Sequence, residues 1–116
     1  MTVHMRDEEF EELVGDALDA IPSELTDAMS NVVILIEPRN PESPNILGLY
    51  SGVALTKRTH DYGGFLPDTI HIYREPILAM CHTREQVVRE VAITVMHEVG
   101  HHFGIDDEWL HANGWG

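Results

Sequence analysis

Cysteine is almost missing from this chain: of 116 residues, Cys81 alone carries a thiol. No disulfide can close within the chain, and a cysteine-rich zinc site is excluded. Any metal must be held by histidine and carboxylate. Basic residues are scarce too, with 7 Lys and Arg against 20 Asp and Glu, for a formal net charge of −13. Such a surface repels phosphate backbones and anionic membranes, so neither nucleic acid nor a membrane is expected as a partner. No apolar run approaches the length of a membrane span, and Met1 to Glu9 contain no apolar core of a signal peptide. The expectation is a soluble cytoplasmic protein. Apolar residues still make up 43% of the chain, enough for a packed core. Length and the lack of any repeat or linker fit a single domain over residues 1–116.

Residues 5–20 carry Phe10, Leu13, Val14, Ala17 and Leu18 at helical spacing, with acids on the outer face. Pro22 ends that pattern, and residues 22–29 suit a short second helix capped by Ser23. The β-branched run Asn31–Glu37 predicts a strand buried on both faces. Residues 38–45 hold three prolines and form a stiff loop. Residues 46–55 predict a strand or strand pair, with Gly48 and Gly52 at a bend or bulge. Thr56 to Pro67, with Gly63-Gly64 at a turn, is the longest candidate flexible loop. Asp68–Glu75 alternates as a strand, Pro76 marks an edge or the strand end, and residues 77–82 lead into the next helix. Thr83 and Gln86 form a capping box, followed by Val87, Val91, Val95 and Val99 on a helix over 83–103. Its wide apolar face must lie against the sheet, deep in the core.

That helix ends in His97-Glu98-Val99-Gly100-His101-His102-Phe103-Gly104-Ile105-Asp106-Asp107. Residues four apart on a helix project about 40° apart and roughly 6 Å along the axis. His97 and His101 therefore share a face on which two imidazoles can hold one Zn²⁺. Glu98 is the candidate catalytic base, because it can accept a proton from a metal-activated water. Gly104 can take the left-handed conformation that stops a helix and lets the chain swing back. Asp107 then falls where a third ligand is needed. Asp106 remains the alternative ligand, although it also suits the N-cap of the following turn. A carboxylate ligand lowers the charge of the site relative to three imidazoles, so its water should be less acidic. His102 points about 100° from His101 and makes a poor co-ligand. His111 is a candidate fourth ligand or hydrogen-bond donor, or else a surface residue. Tyr62 and Tyr73 are candidates for oxyanion stabilisation. His4, His60 and His82 carry no pattern, and Cys81 reads as an inert core residue.

The pattern H-E-x-x-H-x-x-G-x-x-D resembles the zinc signature of zincin metallopeptidases, in a metzincin-like form with Asp in place of the third His. Together with Leu66–Arg74 and Val95–Glu108, it is similar to a family of small bacterial zincin-like proteins, the minimal metalloproteases. That resemblance implies a reduced zincin-like α+β fold, a small mixed β-sheet packed on a long active-site helix. It implies zinc as cofactor, His97, His101 and Asp107 as its ligands, and Glu98 as general base. It implies a peptide or protein substrate lying along Asp68–Arg74 as an edge strand. No methionine follows Asp107 in this sequence, so a Met-turn like that of larger metzincins is not expected.

Three functions compete on this reading. The first is a zinc metalloendopeptidase, in which Glu98→Gln keeps the metal and loses hydrolysis. The second is a non-catalytic zinc-binding module that recognises a peptide or protein, expected to close its metal shell with a fourth ligand such as His111. The third is a metal-dependent RNA endonuclease with a related histidine signature, which the charge disfavours. The sequence names no substrate and no oligomeric state.

Overall fold

A computed structural model describes residues 3–58 and 66–112. The order is α1 (Asp7–Asp19), α2 (Ser23–Ala28), β1 (Val32–Glu37), β2 (Gly48–Ser51), β3 (Asp68–Tyr73), α3 (Arg74–Met80), α4 (Arg84–His102) and α5 (Asp107–Ala112). A 3-10 turn, Leu55–Lys57, follows β2. The fold is α+β, with the sheet ordered β1-β3-β2. β1 runs parallel to β3 and β2 antiparallel to it.

Helix α4 begins where the capping box predicts. The Thr83 hydroxyl accepts from the Gln86 N–H at 3.1 Å, and the Gln86 side chain turns back to the His82 N–H at 2.6 Å. Val87, Val91, Val95 and Val99 are buried, and they meet Ile70 and Ile72 of β3 and Phe10 of α1 in one core. Val32, Ile34 and Ile36 pack on the same core from β1. Each buried side chain of this size contributes about 1.5–3 kcal/mol of transfer free energy. The α1 face predicted apolar is the one that packs: Phe10, Leu13 and Val14 are buried.

Three expectations are corrected. β3 lies in the middle of the sheet, so Asp68–Arg74 is not an edge. Parallel pairing to β1 and antiparallel pairing to β2 occupy both its sides, and the edges belong to β1 and β2. β1 is covered on one face only: Val33 and Leu35 are 41% and 39% exposed, because no helix among the described residues packs there. Residues 74–80 form a helix that opens directly from β3. Pro76 is its third residue, where the missing N–H has no intrahelical partner to lose. In addition, Gly48 sits within regular β2 and not at a bend. The predicted Gly63-Gly64 turn lies outside the described residues, as do His60 and Tyr62.

Candidate metal centre

The end of α4 explains how the site closes. The Ile105 N–H reaches back to the Gly100 carbonyl at 2.9 Å, and the Gly104 N–H to the His101 carbonyl at 2.9 Å. These are the two bonds of a Schellman stop, with Gly104 at φ 83°. The chain reverses there into α5. Asp106 caps the new helix, its Oδ1 accepting from the Trp109 N–H at 2.8 Å. Capping one residue before α5 turns the next side chain, Asp107, back toward α4. Asp107 Oδ1 stands 2.9 Å from His97 Nε2 and 2.8 Å from His101 Nε2. The two Nε2 atoms are 3.1 Å apart. The structure thus brings together His97, His101 and Asp107, and spends Asp106 on a cap.

These three donors suit zinc. Each offers one ligand atom, and the atoms lie within 4.8 Å of one another. A tetrahedral shell with ligands at about 2.0–2.1 Å has edges of roughly 3.3 Å, close to the spacing of these three atoms. Nitrogen and carboxylate oxygen are the donor types zinc accepts in catalytic sites. His111 is exposed on α5 and stands outside the cluster. Tyr73 is buried, and its hydroxyl accepts from the Asn40 side-chain amide at 3.0 Å.

Glu98 lies under the cluster, 6% exposed. Burial raises its pKa above the usual glutamate value; the nearby His97 and His101 oppose the shift, and Asp107 adds to it. The Tyr50 backbone N–H donates to its carboxylate and also opposes the shift. Strand pairing makes that N–H available. The Tyr73 N–H bonds to the Leu47 carbonyl at 2.9 Å, so Leu47, Leu49 and Ser51 bond toward β3. In an antiparallel ladder the alternate residues, Gly48 and Tyr50, then turn their backbone groups to the free edge. That edge faces α4. Gly48 permits the close approach: a Cβ there would lie 2.8 Å from Thr94 Cγ2 and 3.1 Å from Glu98 Cγ.

Sequence reasoning missed the polar network beneath the site. Asp68, 2% exposed at the start of β3, accepts from the Tyr50 hydroxyl, from Arg58 Nη2 at 2.8 Å and from the Val53 N–H at 3.1 Å. Its pKa is lowered: burial, the largest influence, works upward, but the hydrogen bonds from Tyr50, Val53 and Arg58 together with the Arg58 charge prevail. Arg58 also donates to the carbonyls of Val53 and Ser30, at 2.9 Å and 3.1 Å. His102 completes the network. Its Nε2 accepts from the Ser30 N–H at 3.2 Å, so the neutral ring carries its proton on Nδ1, which faces Asp68 Oδ2 at 3.2 Å. Burial lowers the His102 pKa, against the pull of Asp68, which keeps that ring neutral. The network joins the residue after His101 to the strand whose N–H holds Glu98. No local pattern announces it, since its members are drawn from five separate segments.

Three hollows run along β2. A cavity of about 330 Å³ is lined by Asn45–Gly48 and by Glu90, Ile93, Thr94, His97 and Glu98. A second, about 300 Å³, spans Gly48–Tyr50 and the His97, Glu98, His101 and Asp107 side chains. A third, about 300 Å³, continues past Tyr50 and His101 to Gly52, Lys57 and Asp106. Neighbouring hollows share residues, so they form one trough with the metal-type cluster at its middle.

Over residues 29–115 the chain matches the zincin-like metallopeptidase family. It belongs to that family. Membership implies a metal, typically zinc. A conserved hypothetical protein from Thermo thermophilus is similar in fold: TM-score 0.55 at 22% identity, covering 93% of this chain and 99% of that one. No functionally curated protein matches. No helix among the described residues of this zincin-like chain is long and apolar enough to cross a membrane.

Proposed function

We propose that this zincin-like protein is a zinc-dependent endopeptidase whose ligands are His97, His101 and Asp107 and whose general base is Glu98. The observation that carries this reading is the convergence of two imidazoles and one carboxylate beside a buried glutamate, midway along a trough. Zinc, when bound, supplies Lewis acidity, polarising a carbonyl and making water acidic near neutral pH. Glu98 takes the proton of the attacking water and passes it to the leaving amine. The Tyr50 N–H fixes the carboxylate in place, so little reorganisation accompanies the transfer. Free backbone groups of Gly48 at the β2 edge offer main-chain pairing to an extended peptide, in place of the β3 edge expected from sequence. A trough open along both arms favours cleavage within a chain over trimming of its ends. A chain with one cysteine and no disulfide suits the reducing cytoplasm as its place of action.

The test is cleavage of a randomised peptide pool by zinc-loaded protein, wild type against Glu98→Gln. Cleavage by the wild type, abolished by chelation and by Glu98→Gln with zinc content intact, supports the proposal. Intact zinc with no cleavage by the wild type supports the binding-module reading instead. Cleavage that survives Glu98→Gln refutes the role of Glu98.

A further inference from the structure

The trough is chemically lopsided, and the hollow on the Asn45–Gly48 side has a single charge at its far end. Its walls are Ile46, Leu47 and Ile93, all partly buried. Glu90 closes it. Residues 90, 94 and 97 follow one another at helical spacing along one stripe of α4, so Glu90 stands two turns, roughly 10 Å, from His97. No ion pair or hydrogen bond engages the Glu90 carboxylate among the described residues, although an exposed acid elsewhere is paired, as Glu75 is with Arg39. Arg89, the neighbouring cation, lines a smaller hollow on the other side of Glu90 together with Glu90 itself, Met80, Cys81, His82 and Gln86, but makes no ion pair with it. Among the described residues the Glu90 carboxylate therefore has no ion-pair partner, in a protein with a net charge of −13.

Resting on the peptidase reading, we propose that this hollow is a specificity pocket for a lysine or arginine side chain next to the scissile bond. The chemistry matches in two parts. The aliphatic stem of either residue covers Ile46, Leu47 and Ile93, while the cationic head reaches Glu90. A purely apolar side chain fills the walls but leaves the carboxylate unpaired. An acidic one meets like charge. The pocket's volume of about 330 Å³ falls in the range of small ligand sites and admits a side chain of this length.

The test uses matched blocked decapeptides differing at one position beside the cut, which carries Lys, norleucine or Glu. Binding to zinc-loaded Glu98→Gln protein is measured by calorimetry, and cleavage by wild-type protein is followed by mass spectrometry. The expected result is a preference of about five- to tenfold for Lys over norleucine in both readouts, the scale of one partly shielded ion pair. Glu90→Gln should erase that preference, and Glu90→Lys should shift it toward Glu. Zinc content and circular dichroism of the Glu90 variants should match the wild type, since the carboxylate holds no ion pair in the fold. Equal binding of Lys and norleucine peptides, or a Lys preference that survives Glu90→Gln, overturns the pocket assignment and leaves the peptidase reading standing. A protein that neither binds nor cuts any of the peptides overturns both.

Discussion

Replacing Asp68 with Asn removes one charge and leaves the side-chain shape almost unchanged. The consequence is large because of what surrounds that carboxylate. Asp68 and Arg58 have side chains only 3% and 11% exposed, 2.8 Å apart. In Asp68→Asn the buried guanidinium loses the counter-charge of Asp68, and the new amide sets N–H donors against other donors. Breaking a buried pair by removing one partner costs about 3–5 kcal/mol. A small domain has about 5–15 kcal/mol in total, so the loss should lower Tm by roughly 12 °C or more. The Arg39–Glu75 pair provides the control. Its N–O distance, 2.7 Å, is as short, but its side chains are 59% and 48% exposed. Exposed pairs contribute about 0–1 kcal/mol, so Arg39→Ala should be nearly silent. Urea unfolding should be run with chelator present, so that zinc binding does not add to the measured stability. Equal, small losses for Asp68→Asn and Arg39→Ala would refute the claim that this network braces the site.

Three further predictions follow from the same geometry. The Asp68 pKa lies below its unfolded value, so its contribution is complete above about pH 4 and is lost as pH falls through the folded pKa. The stability gap between wild type and Asp68→Asn should therefore hold steady from neutral pH down to about pH 5 and shrink below it; a gap that widens in acid contradicts this sign. Asp106→Ala should cost about 1 kcal/mol of stability as a lost cap while zinc binding largely persists, whereas Asp107→Ala should weaken zinc more than about a hundredfold, since even outer partners of a metal ligand are worth ten- to a hundredfold. Competition with a zinc-sensitive dye separates the two, and equal zinc loss in both would count against the division of roles. Gly104→Ala should destabilise by about 1–3 kcal/mol, because φ is 83° and the added Cβ would lie 2.0 Å from Thr56 Oγ1. Thr56→Ala should restore part of that loss in chemical denaturation, and no rescue would mean the contact is relieved elsewhere.

The legible parts of this chain are the local ones. Thr83 and Gln86 mark the start of α4 and Gly104 its stop, each within a few residues of the backbone groups they satisfy. The same holds for Asp106, whose cap to Trp109 decides which of two adjacent acids faces the histidines. Long-range features are hidden. Alternation in Asp68–Tyr73 identifies a strand but says nothing of its neighbours, so an edge and a central place in the sheet look alike. Pro76 ends a strand and also fits the first turn of a helix, and sequence alone does not choose between the two. Asp68 and Arg58 look like surface charges until the fold buries them together, and Gly48 looks like a bend until α4 is seen pressed against it.

The most direct measurement is a crystal structure of the zinc-soaked protein with anomalous data at the zinc edge. One strong peak is expected at about 2.0–2.2 Å from His97 Nε2, His101 Nε2 and an Asp107 oxygen, with the remaining position open to the trough beside Glu98. A peak elsewhere, or a shell closed by a fourth protein side chain such as His111, contradicts it.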